Sequence, residues 1–124
     1  MKSAINWFEI PVIDFDRAIK FYSEVLGEEV KKHEMPDPDV LYGVFPYEEG
    51  KGTGGAIVKM EGCKPSADGV TIYLNGGEDL SPALARAEKA GAKIIVPKMD
   101  IGENGFMAQF IDLEGNRVAL HSMN

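Results

Sequence analysis

Few side chains in this sequence can do chemistry, and their types narrow the options quickly. Two histidines, His33 and His121, and one cysteine, Cys63, occur in 124 residues. A lone cysteine forms no internal disulfide and no cysteine-rich zinc site. Cys63 stands in a turn-like Gly62-Cys63-Lys64-Pro65 stretch with no histidine beside it, so nothing there activates a thiolate. His33 beside Glu34 reads as a surface histidine, and Asp37 and Asp39, set between prolines, suit a rigid exposed turn better than a paired-carboxylate site. Gly52-Thr53-Gly54-Gly55 lacks the Gly-Lys-Ser/Thr of a phosphate loop. It reads as a hairpin or a pocket-covering loop, as does Gly102-Glu103-Asn104-Gly105. Two pairs remain. Strand alternation puts Trp7 and Glu9 on one sheet face, and Ala119 and His121 on one face. A carboxylate and an imidazole in a partly dry pocket can do general acid/base work, because burial raises the carboxyl pKa and a carboxylate raises that of histidine. The same groups can equally hold a polar ligand without reacting, or satisfy each other and nearby backbone.

The elements that must position these residues form two similar halves. Ile5 to Val12 alternates as a strand, Asp14 is an N-cap, and Phe15, Ala18, Ile19, Tyr22 and Leu26 recur at helical spacing up to the left-handed stop Gly27. Short β-like runs follow at 29–33, 40–45 and 55–60. The second half repeats this. Gly69 to Leu74 is a strand. Ser81-Pro82 is an N-cap followed by a first-turn proline, and the helix with Leu80, Ala83, Leu84, Ala87 and Ala90 as its stripe ends at Gly91. Strands are expected at 92–96, 106–112 and 117–121, the last two joined by Leu113-Glu114-Gly115-Asn116. The helix-stop glycines lie 64 positions apart, about half the chain. The expectation is an α+β fold of two βαβββ modules, about 1–62 and 66–124, in a single 1–124 domain around a shared cleft.

Composition excludes more than it names. The chain is 44% hydrophobic and 27% charged, with a net charge of −7. It is long and apolar enough for a core without disulfide or metal staples. Its basic residues are scattered, which argues against nucleic acid and against an anionic membrane surface. No apolar run approaches the roughly 20 residues of a membrane span. The strand beginning near Ile5 leaves no room for a signal peptide, and with the single cysteine this predicts a cytoplasmic protein.

The stretches EIPVIDFDRAIKFYSEVLG and MAQFIDLEGNRVALHS resemble the vicinal oxygen chelate superfamily, which includes glyoxalase I, the bleomycin and fosfomycin resistance proteins and the extradiol dioxygenases. The likeness covers nearly the whole chain. Val12, Asp14, Ala18, Phe21, Tyr22, Leu26 and Gly27 match the opening signature, and Phe110, Asp112, Gly115 and Asn116 match the closing turn. The resemblance implies a cup-like mixed sheet shared by the two modules, the glyoxalase/bleomycin resistance/dihydroxybiphenyl dioxygenase fold. It also implies a divalent metal held by His, Glu or Gln at four positions. Carried over one at a time, those positions are Trp7, seven residues before Asp14; Val70, opening the second half; and Ala119, four residues after Gly115. The fourth falls on the strand 55–60, where Lys59 is the nearest polar residue. Three of these cannot bind a metal, and Lys59 as a cation would repel one. No cofactor is therefore expected, with a non-standard metal site using Glu9 and His121 as the donor-poor alternative. Glyoxalase I and extradiol dioxygenase activities, which act through metal-bound oxygens, are not expected. If the faces meet as in the family, Trp7, Glu9, Lys59, Met107, Gln109 and His121 surround one cleft, with Glu9 and His121 as the catalytic candidates and the rest as ligand-binding ones. Tyr42, Phe45, Tyr47 and Phe106 add aromatic surface for the cleft or a dimer face. Two function classes follow. One is a small enzyme, lyase-, isomerase- or oxygenase-like, on a polar carbonyl-type or phosphorylated substrate. The other is a non-catalytic binder that sequesters a small molecule. By analogy either works as a homodimer.

Overall fold

A computed structural model describes residues 2–124. The elements run β1 (Trp7–Pro11), α1 (Phe15–Leu26), β2 (Lys31–His33), β3 (Leu41–Val44), β4 (Gly54–Lys59), β5 (Ile72–Asn75), α2 (Ser81–Lys89), β6 (Lys93–Asp100), β7 (Phe106–Ile111) and β8 (Arg117–Ser122), with a short 3-10 turn at Gly102–Asn104. Each half is βαβββ, as its sequence pattern requires. The two four-stranded mixed sheets have the orders β1-β4-β3-β2 and β5-β8-β7-β6. Outer β1 and β5 each pair in parallel with the last strand of their own module, and the remaining pairs are antiparallel. The repeat extends to register: Glu9 lies opposite Ala56, and Tyr73 lies opposite Ala119.

Local chemistry explains the helix ends. The Asp14 carboxylate accepts from the Arg17 N–H at 3.1 Å, and Gly27 closes α1 at φ 72°, a conformation that costs glycine little. The start of α2 corrects the expected cap. Leu80 holds the N-cap position without a side-chain hydrogen bond, and Ser81 is the first helical residue. The carboxylate of Asp79, a stronger acceptor than a hydroxyl, takes the Ser81 N–H at 2.8 Å and the Lys98 ammonium at 2.9 Å. Lys98, with the N–H and O–H of Ser81, holds this exposed carboxyl well below its usual range. The expected strand from Gly69 is also corrected. It starts at Ile72, leaving Val70 ahead of it and 86% exposed.

Both sheets turn one face to the helices, and these faces form one core. Ile10 and Ile57 from the first sheet, Leu74, Phe110 and Leu120 from the second, and Tyr22 from α1 are all buried in it. The Phe21 ring of the first module meets Phe110 of the second edge-on at 5.9 Å. The residues of the two sequence signatures clamp the modules together. The side chain of Glu114 is fully buried; it accepts from the N–H groups of Ile13 and Asp14 at 2.7 and 2.8 Å and pairs with Arg17 at 2.7 Å. Asp112 accepts the Tyr22 hydroxyl at 2.5 Å, and Asn116 donates to the Pro11 carbonyl at 2.7 Å. Every buried side-chain polar atom among the described residues has a partner, as burial in a low-dielectric interior demands. Glu114, read from sequence only as part of a turn, is thus a buried tie between the modules.

Candidate functional site

Packing helices on one face of each sheet leaves the other face free of helices. On β1 alternation sends Phe8 and Ile10 to the core and Trp7 and Glu9 to the open face. Tyr42 on β3 lies opposite Val58 of β4 and comes to the same face. There it joins the two sequence candidates. The Trp7 indole N–H donates to the Tyr42 hydroxyl at 2.8 Å, and that hydroxyl donates to Glu9 Oε2 at 2.6 Å. Burial, reinforced by the hydrogen bond to Glu9, raises the Tyr42 pKa, so the phenol stays protonated as the donor. Tyr47 stands edge-on to Trp7, with ring centroids 5.7 Å apart and planes at 80°. Gly54, beside Trp7 in the β1–β4 ladder, makes room for both: a Cβ there would stand 2.6 Å from Tyr47 and 2.8 Å from Trp7. A groove of about 1070 Å³ opens here, lined by Trp7, Tyr42, Tyr47, Lys31, His33 and Asn75, among others.

The second sheet carries the other candidates. Gln109 donates to the Tyr73 hydroxyl at 3.3 Å and accepts from the Arg117 guanidinium at 3.1 Å. Met107 lies opposite His121 in the β7–β8 ladder. His121 Nε2 is 2.7 Å from the carbonyl of Asn104, so that nitrogen carries the proton and donates. The turn containing Gly102–Asn104 is thereby tied to His121. A smaller cavity of about 730 Å³ lies at the seam between modules, with Phe8, Phe45, Ile72, Leu74 and Arg86 in its wall.

The structure brings together only part of the predicted set. Trp7 and Glu9 are joined on the first sheet, and His121, Met107 and Gln109 share the second. No hydrogen bond or ion pair links Glu9 to His121, so the two groups that could have satisfied each other within the chain have other partners. Lys59 has the strand parity of core-facing Gly55 and Ile57 and is exposed at the end of β4, away from the Glu9 face. Among the described residues no three His, Cys, Asp or Glu side chains converge where an ion could sit. Tyr42 was visible in the sequence only as aromatic surface. Its role depends on the β3–β4 register, which alternation alone does not give. Arg117 and Tyr73, in the Gln109 chain, carried no sequence signal beyond their strand positions.

The family model of the Glyoxalase/Bleomycin resistance protein/Dioxygenase superfamily matches residues 4–120. The chain belongs to that superfamily. No curated protein matches the chain. Among solved structures, the trypanothione-dependent glyoxalase I of Leishmania major is similar at 27% identity, over 98% of this chain and 88% of that one, with a TM-score of 0.71. The fosfomycin resistance protein FosX of Listeria monocytogenes shares the fold at 13% identity, over 100% of this chain and 94% of that one, with a TM-score of 0.65. Glyoxalase I from Zea mays matches at 20% identity and a TM-score of 0.68, over 94% of this chain but 43% of that one. The chain thus spans less than half the length of the maize protein. The two signatures that suggested the superfamily are the ones that clamp the modules, so what they encode is the scaffold. No helix among the described residues is long and apolar enough to cross a membrane.

Proposed function

We propose that this member of the glyoxalase and bleomycin resistance superfamily is a small-molecule binding protein that uses no metal. Its ligand lies against the helix-free sheet faces of a cytoplasmic homodimer. One observation carries the reading: Trp7, at a family metal position, has an N–H donor as its only polar atom, and that N–H is already given to Tyr42. The internal register supports it. The counterpart of Ala119 in the first module is Ala56, and counting two residues back from Tyr73, as Trp7 stands two before Glu9, reaches Thr71 beside Val70 just ahead of β5. Four positions that would have to supply a coordination sphere therefore offer one hydroxyl, which does not fit a divalent ion. What the face does offer is an aromatic and carboxylate surface fixed by hydrogen bonds. The unpaired outer edges of β1 and β5 support the homodimer, since exposed strand edges invite pairing.

The metal part is tested by elemental analysis of tag-free protein purified without chelator. Little stoichiometric Zn, Ni, Mn or Fe is expected, and near-equimolar, chelator-removable metal overturns it. Catalysis is separated from capture with Glu9→Gln and His121→Ala and a panel of small carbonyl and phosphorylated compounds. Binding that weakens without any turnover supports the binder; turnover lost in both variants would establish the enzyme. Light scattering is expected to give twice the chain mass of 13.5 kDa.

A further inference from the structure

The face around Trp7 has a definite ligand chemistry. Trp7 and Tyr47 meet at nearly a right angle, and each remains more than a third exposed, at 38% and 37%. Because the indole N–H is bonded to Tyr42, only the π surface of Trp7 is left for a ligand. Glu9, two residues along the same strand face and so about 7 Å away, presents a carboxylate. The Tyr42 hydroxyl fixes one of its oxygens and leaves the other free to accept. Gly54 is the cradle that lets both rings pack onto β4. Glu28, Glu29, Glu48 and Glu49 also line the groove, with Glu48 paired to Lys51 at 3.4 Å. Against these stand Lys31 and Lys32, of which Lys32 is paired with Asp16 at 3.0 Å, so acids outnumber lysines in the lining.

Two perpendicular aromatic faces beside a fixed carboxylate attract a cation through the ring quadrupoles and through charge. A carboxylate-bearing or phosphorylated ligand would instead meet Glu9 and the acidic lining with like charge. We propose that the Trp7–Tyr47 corner binds an organic cation, with an alkylated ammonium against the rings and its charge opposite Glu9. This rests on the reading of the open face as a ligand site and names its ligand class.

The test uses the full chain, and Trp7, the only tryptophan, is the reporter. The protein is titrated with choline chloride, with 3,3-dimethylbutan-1-ol, the neutral isostere of choline, and with sodium chloride at matched ionic strength. Emission is followed, and calorimetry confirms the affinity. Saturable binding of choline is expected, with the isostere at least about fivefold weaker. Tyr47→Ala should weaken both compounds, whereas the isosteric, exposed Glu9→Gln should weaken choline by a similar factor and leave the isostere unchanged. Thermal melts check that both variants fold. Equal binding of choline and isostere, or no saturable choline signal beyond the salt control, overturns the proposal. The site reading fails separately: in the compound panel, its loss would appear as ligands indifferent to Glu9. Ligands that need Glu9 and are neutral or anionic would sink the cation assignment alone.

Discussion

At the scale of single residues, Tyr42 organises the open face of the first sheet. It accepts from Trp7 and donates to Glu9, so one hydroxyl sets the rotamers of both. Tyr42→Phe keeps the ring and removes both bonds. Because the network is solvent-accessible, the variant should lose only about 1 kcal/mol of stability by denaturant unfolding. Its Trp7 emission should change clearly, because the indole N–H becomes free to bond water. A loss well beyond that value would mean the network is structural rather than a ligand surface. Glu114 is the opposite case. Its carboxylate is buried and bonds two backbone N–H groups across the module boundary. Glu114→Ala should cost about 3 kcal/mol or more, because two buried donors lose their acceptor. Arg17→Ala, which removes a half-exposed cation and leaves those bonds in place, should cost clearly less. Urea titrations of the two variants side by side measure the difference.

At the scale of elements, most of the architecture could be read from periodicity. The shift from alternation to helical spacing after Asp14, the glycine stops and the repeat at 64 residues depend on local chemistry, and all of them hold. The errors lie where local signals compete. Ser81 is a sound N-cap by residue type, but Asp79 two residues earlier is the stronger acceptor and takes its N–H. The site was legible in part for a different reason. Trp7 and Glu9 share a face by strand parity alone, whereas Tyr42 reaches them through an antiparallel register, and Glu9 and His121 fall on separate sheets. Neither fact is written in any short stretch of chain. Gly54 shows how an element builds a site. Its φ is not in the left-handed region, so its need is for space rather than backbone freedom. Gly54→Ala should therefore push Tyr47 and Trp7 off β4 and destabilise the chain by roughly 1–3 kcal/mol. A shift in Trp7 emission should accompany the loss; unchanged emission with full stability would mean the rings are not seated on that glycine.

At the scale of the whole molecule, the two modules should fold as one unit, because each supplies contacts that the other lacks. Tyr22 belongs to the first module by sequence, yet it is completely buried and its hydroxyl ends on Asp112 of the second. Burial, followed by the charge of Asp112 and the hydrogen bond to it, raises the Tyr22 pKa well above the ordinary phenol value. The folded state therefore holds the phenol proton more tightly than the unfolded chain does. The resulting stabilisation is complete below the unfolded-state value of about 10 and is lost as pH rises from there toward the folded value. Urea midpoints measured from about pH 8 to 11 should be flat and then fall. In Tyr22→Phe the unfolding free energy should be lower by about 2 kcal/mol at neutral pH, with a shallower alkaline fall, because the titrating group is gone. The same interdependence should appear when the chain is divided. A fragment of residues 1–62 would expose Ile10, Phe21 and Tyr22 where Phe110 and Asp112 now cover them, and it would lose the bonds from Glu114 and Asn116 to the β1–α1 junction. With its buried hydroxyl unpaired and half the shared core removed, such a piece keeps too little buried apolar surface to outweigh chain entropy. Circular dichroism should find fragments 1–62 and 66–124 each unfolded alone and the intact chain melting in one transition. A folded fragment, or two separate transitions, would make the modules autonomous domains.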